Sequence, residues 1–207
     1  MLEELLLNNI WLDLLIWIVL YLSDYQLTIV SARLHQAVLK DHLPLEGSFE
    51  LTPFYERDVN VLRRVSPRLL AMLALQCLVL LLYWTLTTVW SYYPAPFLLL
   101  LGAFFLLEVV VHIRHVRNLV TFRYARRGGL EGRLERARWF VLRLSALELV
   151  GYAALFLLIF LLTGSWFVLG GTVSCLVTAA KHWHQANKAS APQPEAPESA
   201  GTKSPTE

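Results

Sequence analysis

The chain has 207 residues, of which 56% are hydrophobic and 16% charged, with a net charge of +2 and a mean hydropathy of +0.49. A soluble domain of this size carries about a quarter of its residues as charged side chains, so the composition argues against a water-soluble fold. The small net charge acquires meaning only when it is mapped onto individual loops.

The apolar residues fall in long blocks. Leu69 to Trp90, Pro96 to Leu107 and Leu149 to Val177 contain no charged residue. Roughly 20 apolar residues make a helix that crosses the ~30 Å hydrocarbon core of a bilayer. Barrel strands would alternate apolar and polar residues, and these blocks do not. The expected fold class is therefore all-α, a polytopic transmembrane helical bundle of about five spans.

A first helix is expected from about Leu5 to Leu39, with its apolar part at Ile10 to Leu22. Glu3 and Glu4 stand where a signal peptide would carry Lys or Arg, so this span is expected to remain in the mature protein. Lys40 to Pro67 is mixed in character and reads as a cytoplasmic segment with short helical or re-entrant pieces. A second span follows at about Leu69 to Trp90, ended by the Ser91–Ala95 turn, where Pro94 and Pro96 stop a helix. The third span runs from about Phe97 to His115 and continues as a basic helix toward Tyr124, broken at Arg127-Gly128-Gly129. The fourth is about Trp139 to Leu162, turning at Gly164-Ser165, and a short fifth is about Trp166 to Lys181. Residues 1–185 form the membrane domain in this reading. Residues 186–207, rich in Ala, Pro, Ser and Glu, form a disordered cytoplasmic tail. Cys77 and Cys175 lie inside spans, where a lone cysteine is a small packing residue rather than a disulfide or metal thiolate. Gly151, Gly164, Gly170, Gly171 and Ser174 are expected to let helices approach closely.

Charge sets the orientation. The loop 114–138 holds eight arginines against Glu131 and Glu135, while the turns Ser91–Ala95 and Thr163–Ser165 are uncharged. The positive-inside rule puts the basic segments and the C-terminus in the cytoplasm and the N-terminus outside, in a plasma (inner) membrane. The bilayer is the first partner. The arginine-rich loop can also grip anionic lipid headgroups. Topology alone accounts for these arginines, so no nucleic-acid partner is expected. A chain this small would need a homo-oligomer to form a complete secondary transporter.

Ionisable groups inside spans cost at least ~2.5 kcal/mol each on insertion scales, so each one calls for an explanation. Asp13, Asp24, Thr28, Ser31 and His35 share one face of the first helix. Glu108, His112 and His115 share a face of the third, and Glu148 lies about two turns into the fourth, beside Ser145 and Tyr152. Asp24, Glu108, His112 and Glu148 thus fall at similar depth on different helices, which suggests one polar, cytoplasm-facing cavity. Asp24, Thr28, Glu50, Glu108, His112 and Glu148 form the candidate ligand or proton site. Asp24, Glu108, His112 and His115 form a candidate ligand set for a divalent metal, the only cofactor the sequence raises. No HExxH motif is present.

Asp24-x-x-x-Thr28 followed by Glu50-Leu51-Thr52-Pro53 resembles a small prokaryotic membrane family of unknown function. Its members carry an Asp with a nearby Thr, then Glu-x-Asn-Pro, near their first two spans. Here Thr52 replaces the Asn. The resemblance covers about a quarter of the chain and implies that Asp24, Thr28, Glu50 and Pro53 belong to one site. It brings no activity with it.

Three functions remain open at this stage. The first is ion, proton or lipid handling through the polar cavity. The second is a membrane-embedded, metal-dependent hydrolase or transferase. The third is a non-catalytic assembly or partner protein that uses the long first helix and the tail as contact surfaces.

Overall fold

The computed structural model describes residues 2–39, 53–90, 93–128 and 137–190, and among them the chain is all-α. The helices are α1 (Leu2–Asn8), α2 (Ile10–Leu34), α3 (Pro53–Asn60), α4 (Pro67–Thr88), α5 (Ala95–Arg126), α6 (Arg138–Thr163) and α7 (Trp166–Ala189). A wider π-helical turn, His35–Leu39, follows α2.

The helix boundaries follow local chemistry. The expected single first helix is broken at Asn9, whose φ of −132° and ψ of 57° leave the helical region, while its side-chain amide donates back to the Leu5 carbonyl (3.1 Å). Ser66 caps α4 by accepting from the Arg68 N–H (3.2 Å), and Pro67 fills a first-turn position where no N–H is needed. The Ser66 hydroxyl donates to the buried Asp58 carboxylate, which ties the end of α3 to the start of α4. Gly164 ends α6 with a left-handed φ of 67°, a conformation that costs glycine little. Ser165 then caps α7.

Four helices are long and apolar enough to cross a membrane: Ile10–Ala37, Pro67–Thr88, Ala95–Arg126 and Arg138–Thr163. The chain is an integral membrane protein on this evidence. The outward faces agree, because α4 exposes Leu70, Leu75, Leu78 and Leu82, and α6 exposes Leu144, Leu147, Leu158 and Leu161. In water such apolar stripes would be a liability; against lipid tails they are the matching surface. The expected fifth span, α7, is longer than the sequence suggests. It continues through a buried Ala186 to Ala189, past the expected start of the tail, and it is not one of those four apolar helices.

α5 lies at the centre. On one side, Phe97, Leu98, Leu101 and Phe105 pack with α2, α4 and Phe167 of α7. On the other, Val110 packs with Ala146, Leu149 and Ala153 of α6 and with Cys175 and Ala179 of α7. α5 and α7 cross at backbone contact. A Cβ on Gly102 would sit 1.7 Å from the Phe167 carbonyl oxygen, and one on Gly170 would sit 2.0 Å from that of Leu99. Gly171 is nearly as tight, against the Leu106 side chain. Gly151 and Gly164 face open space, so those two do not serve the close packing expected of them.

The N-terminus, the C-terminal part of α4 and the starts of α5 and α7 meet at one end of the bundle. The Ser165 hydroxyl donates to Glu3 (2.6 Å), the Trp84 indole N–H donates to the Leu7 carbonyl (2.8 Å), and the Tyr93 and Trp166 rings lie 6.4 Å apart. The opposite end carries the charged pairs, such as Arg138 with Glu56 (3.8 Å).

Candidate functional site

α2 and α5 run side by side in the same direction. Trp17 stacks on Phe104 (4.8 Å between ring centroids), Ser23 meets His112, and Asp24 meets His115, so the contacts advance together along both helices. This register turns the polar face of α2 toward the polar face of α5. Asp13, Thr28 and Ser31 are buried, and Asp24 is largely covered.

Two imidazoles cross the seam one turn apart. His112 Nδ1 lies 2.7 Å from the Glu108 backbone carbonyl, which can only accept, so Nδ1 carries the hydrogen. In the neutral ring Nε2 is then an acceptor for the Ser23 hydroxyl, 2.7 Å away. That hydroxyl also lies 2.9 Å from the Leu20 carbonyl and has one proton to give. If His112 gains a proton, its Nε2–H donates to Ser23, and Ser23 must turn its own hydrogen to Leu20. The pair therefore has two fully bonded arrangements that differ by one proton.

His115 Nε2 donates to Asp24 Oδ1 at 2.7 Å, with the Thr28 hydroxyl at 3.2 Å, while its Nδ1 is buried without a partner. Glu108, one turn before His112, lies within electrostatic reach of Asp24 and Tyr21, and its Oε2 is buried and unpartnered. Nearer the N-terminal end of the seam, Asp13 is fully buried with both carboxylate oxygens unpartnered, and so is the indole N–H of Trp17 one turn on. Leaving a polar group buried without a hydrogen bond costs roughly 2–7 kcal/mol, which makes these open atoms the costliest feature of the seam.

The expected site is thus assembled in part. Asp24, Thr28 and His115 touch; His112 and Glu108 stand beside them. Glu148 does not join the seam. It lies on the side of α5 that faces α6, held by Arg117 (2.6 Å) and Arg114 (3.2 Å). The expected shared site groups Glu148 with Asp24, Glu108 and His112, whereas its carboxylate points to the arginines of α5. Arg114 also donates to Ser145, and Ser145 meets His182 Nδ1 at 2.8 Å, so a second polar network links α5, α6 and α7. Arg114 is close enough to feel both Asp24 and Glu148, so the two networks adjoin. Glu50 lies outside the described residues.

The sequence suggests a cavity, whereas these side chains meet as pairs across a seam. Open recesses occur elsewhere, one of about 430 Å³ beside Leu2, Leu5 and Asn9, another of about 400 Å³ at Arg123, Arg126 and Arg127. Among the described residues, no three His, Cys, Asp or Glu side chains are grouped so as to hold a metal ion, so Asp24, Glu108, His112 and His115 are not brought together as a ligand set. Sequence reasoning missed Ser23 and His182. Ser23 stands next to Asp24 in the chain, but its role shows only once His112 is placed opposite it.

The chain matches no protein-family model, no curated protein and no solved structure. Its function has to be read from its own geometry.

Proposed function

We propose that this is a bacterial-type inner-membrane protein of five spans that handles protons along the α2–α5 seam. One observation carries the reading. Two imidazoles on one face of α5 each reach across to α2, His112 to Ser23 and His115 to Asp24, both at 2.7 Å, beside the unpartnered Glu108 Oε2. Such a seam suits a proton better than a larger ion or a lipid. A proton moves by exchange along hydrogen bonds and needs no open cavity, and histidine takes up and releases it near neutral pH. Intramembrane acids and histidines that face one another are the usual components of proton relays. The orientation with the N-terminus outside rests on the arginine-rich loop 114–138 and the uncharged turns. The family resemblance adds Glu50 and Pro53 to the same site; its support is that Asp24 and Thr28 both reach His115.

The test is purified protein reconstituted into liposomes with a pH-sensitive dye inside, under a potassium-clamped membrane potential. Native protein should acidify or alkalinise the lumen in the direction of the potential, and Glu108→Gln and His115→Gln should each reduce the rate at least tenfold while inserting normally. A native rate no greater than that of empty liposomes would overturn the proposal, as would unchanged rates in both variants.

A further inference from the structure

Several arginines at the charged end of the bundle are already occupied. Arg114 and Arg117 hold Glu148, Arg138 faces Glu56, and Arg63 lies 3.5 Å from Asp58. Arg143 lies between Trp139 and Trp183, 5.2 and 5.5 Å from their ring centroids. Arg123, Arg126 and Arg127 differ. All three are exposed, none has a carboxylate partner among the described residues, and together they line the open recess of about 400 Å³. Arg123 and Arg126 stand three residues apart on the last turn of α5, with Arg127 at its C-cap, and like charges so placed repel. A bound anion would remove that repulsion.

The surroundings indicate which anion. Val116, Val120 and Tyr124 are exposed at four-residue intervals along α5 and lead up to Arg127, so an exposed apolar ridge runs into the guanidinium groups. A free phosphate would use only the guanidiniums, and a nucleic acid would leave the ridge bare. A phospholipid uses both, with acyl chains along the ridge and the phosphate in the recess. Arginine forks pair with phosphate oxygens two at a time, and three of them can neutralise more than one negative charge.

We propose that Arg123, Arg126 and Arg127 form a binding site for an anionic phospholipid, with preference for a headgroup carrying two negative charges. This is independent of proton handling, because none of the three belongs to the seam.

The experiment is native mass spectrometry of the full chain in mild detergent, titrated in turn with cardiolipin, phosphatidylglycerol, phosphatidylcholine and inorganic phosphate. Cardiolipin should bind tightest and phosphatidylcholine weakest. The triple variant R123Q/R126Q/R127Q should weaken cardiolipin binding by roughly a hundredfold, from about a tenfold effect or less per cation. Arg57→Gln, an exposed change on α3, should leave it unchanged. The triple Lys variant, which keeps charge but loses the fork, should fall between. Equal binding of all three lipids would overturn the proposal, as would an unaltered triple Gln variant. Inorganic phosphate that displaces cardiolipin at comparable concentration would reassign the recess to a soluble anion and equally overturn it.

Discussion

The two long faces of α5 solve the problem of helix association in opposite ways. Toward α7 the side chains are removed: Gly102 and Gly170 let backbone meet backbone. Toward α2 they are kept and made polar, with Ser23, Asp24 and Thr28 opposite His112 and His115. Between helices in lipid there is no hydrophobic gain from association, so close packing and interhelical hydrogen bonds are what remain. The glycine crossing uses the first and has no chemistry to offer. The polar seam uses the second and leaves atoms of Asp13, Glu108 and His115 open. Toward α2 the polar groups meet along the helices, while toward α7 the glycine crossing sits apart from the Arg114–Ser145–His182 network.

That division can be tested by substitution. The largest effect is expected at the crossing. Gly102→Leu drives a side chain into the Phe167 backbone, which cannot yield as a flexible side chain would. It should cost about 3 kcal/mol or prevent folding, read as loss of the monodisperse peak and of the thermal transition in detergent. A variant as stable as the native protein would show that α5 and α7 do not depend on this contact. The second effect has the opposite sign. Asp13→Leu removes a fully buried, unpartnered carboxyl, so the protein should gain about 1–3 kcal/mol in thermal or denaturant unfolding. A loss of stability would mean that Asp13 has a partner that holds it in place. The smallest effect is at Ser23→Ala, which leaves His112 Nε2 without its donor and should cost about 1 kcal/mol. The His112 ring nitrogen shifts in an NMR spectrum should change with it; if they do not, the ring does not depend on that hydroxyl.

Much of the bundle is legible in the sequence because hydropathy is a local property. Gly164 follows the end of α6 as expected, while the Pro94–Pro96 pair, expected to stop the second span, stands at the start of α5, and α4 already ends at Thr88. The break at Asn9 falls at the Asn8-Asn9 pair that precedes the apolar run from Ile10, but a polar pair alone does not say whether a helix breaks or continues. The crossing at Gly102, a single glycine in a run of Leu and Phe, is not legible. Gly151 gives the same local signal and faces nothing. The site follows the same logic. The spacing of Asp24 and Thr28 on α2, and of Glu108, His112 and His115 on α5, identifies two polar faces. Which residue meets which depends on the register between two helices far apart in sequence. Glu148 shows the cost: depth follows from counting residues along a helix, but which neighbour the side chain faces follows from packing.

The hydrogen bond between Ser165 and Glu3 joins positions 162 residues apart and fastens the first helix to the cap of the last. Loops that long are entropically slow to close, and contacts of this range form late. During synthesis the Trp84 bond to the Leu7 carbonyl can form once α4 has been made, whereas the Glu3 bond must await Ser165. The Glu3 carboxylate therefore lacks the Ser165 hydroxyl and Phe167 N–H donors until the start of α7 has been made. The start of α7, rather than the insertion of α1, sets when this long-range contact closes.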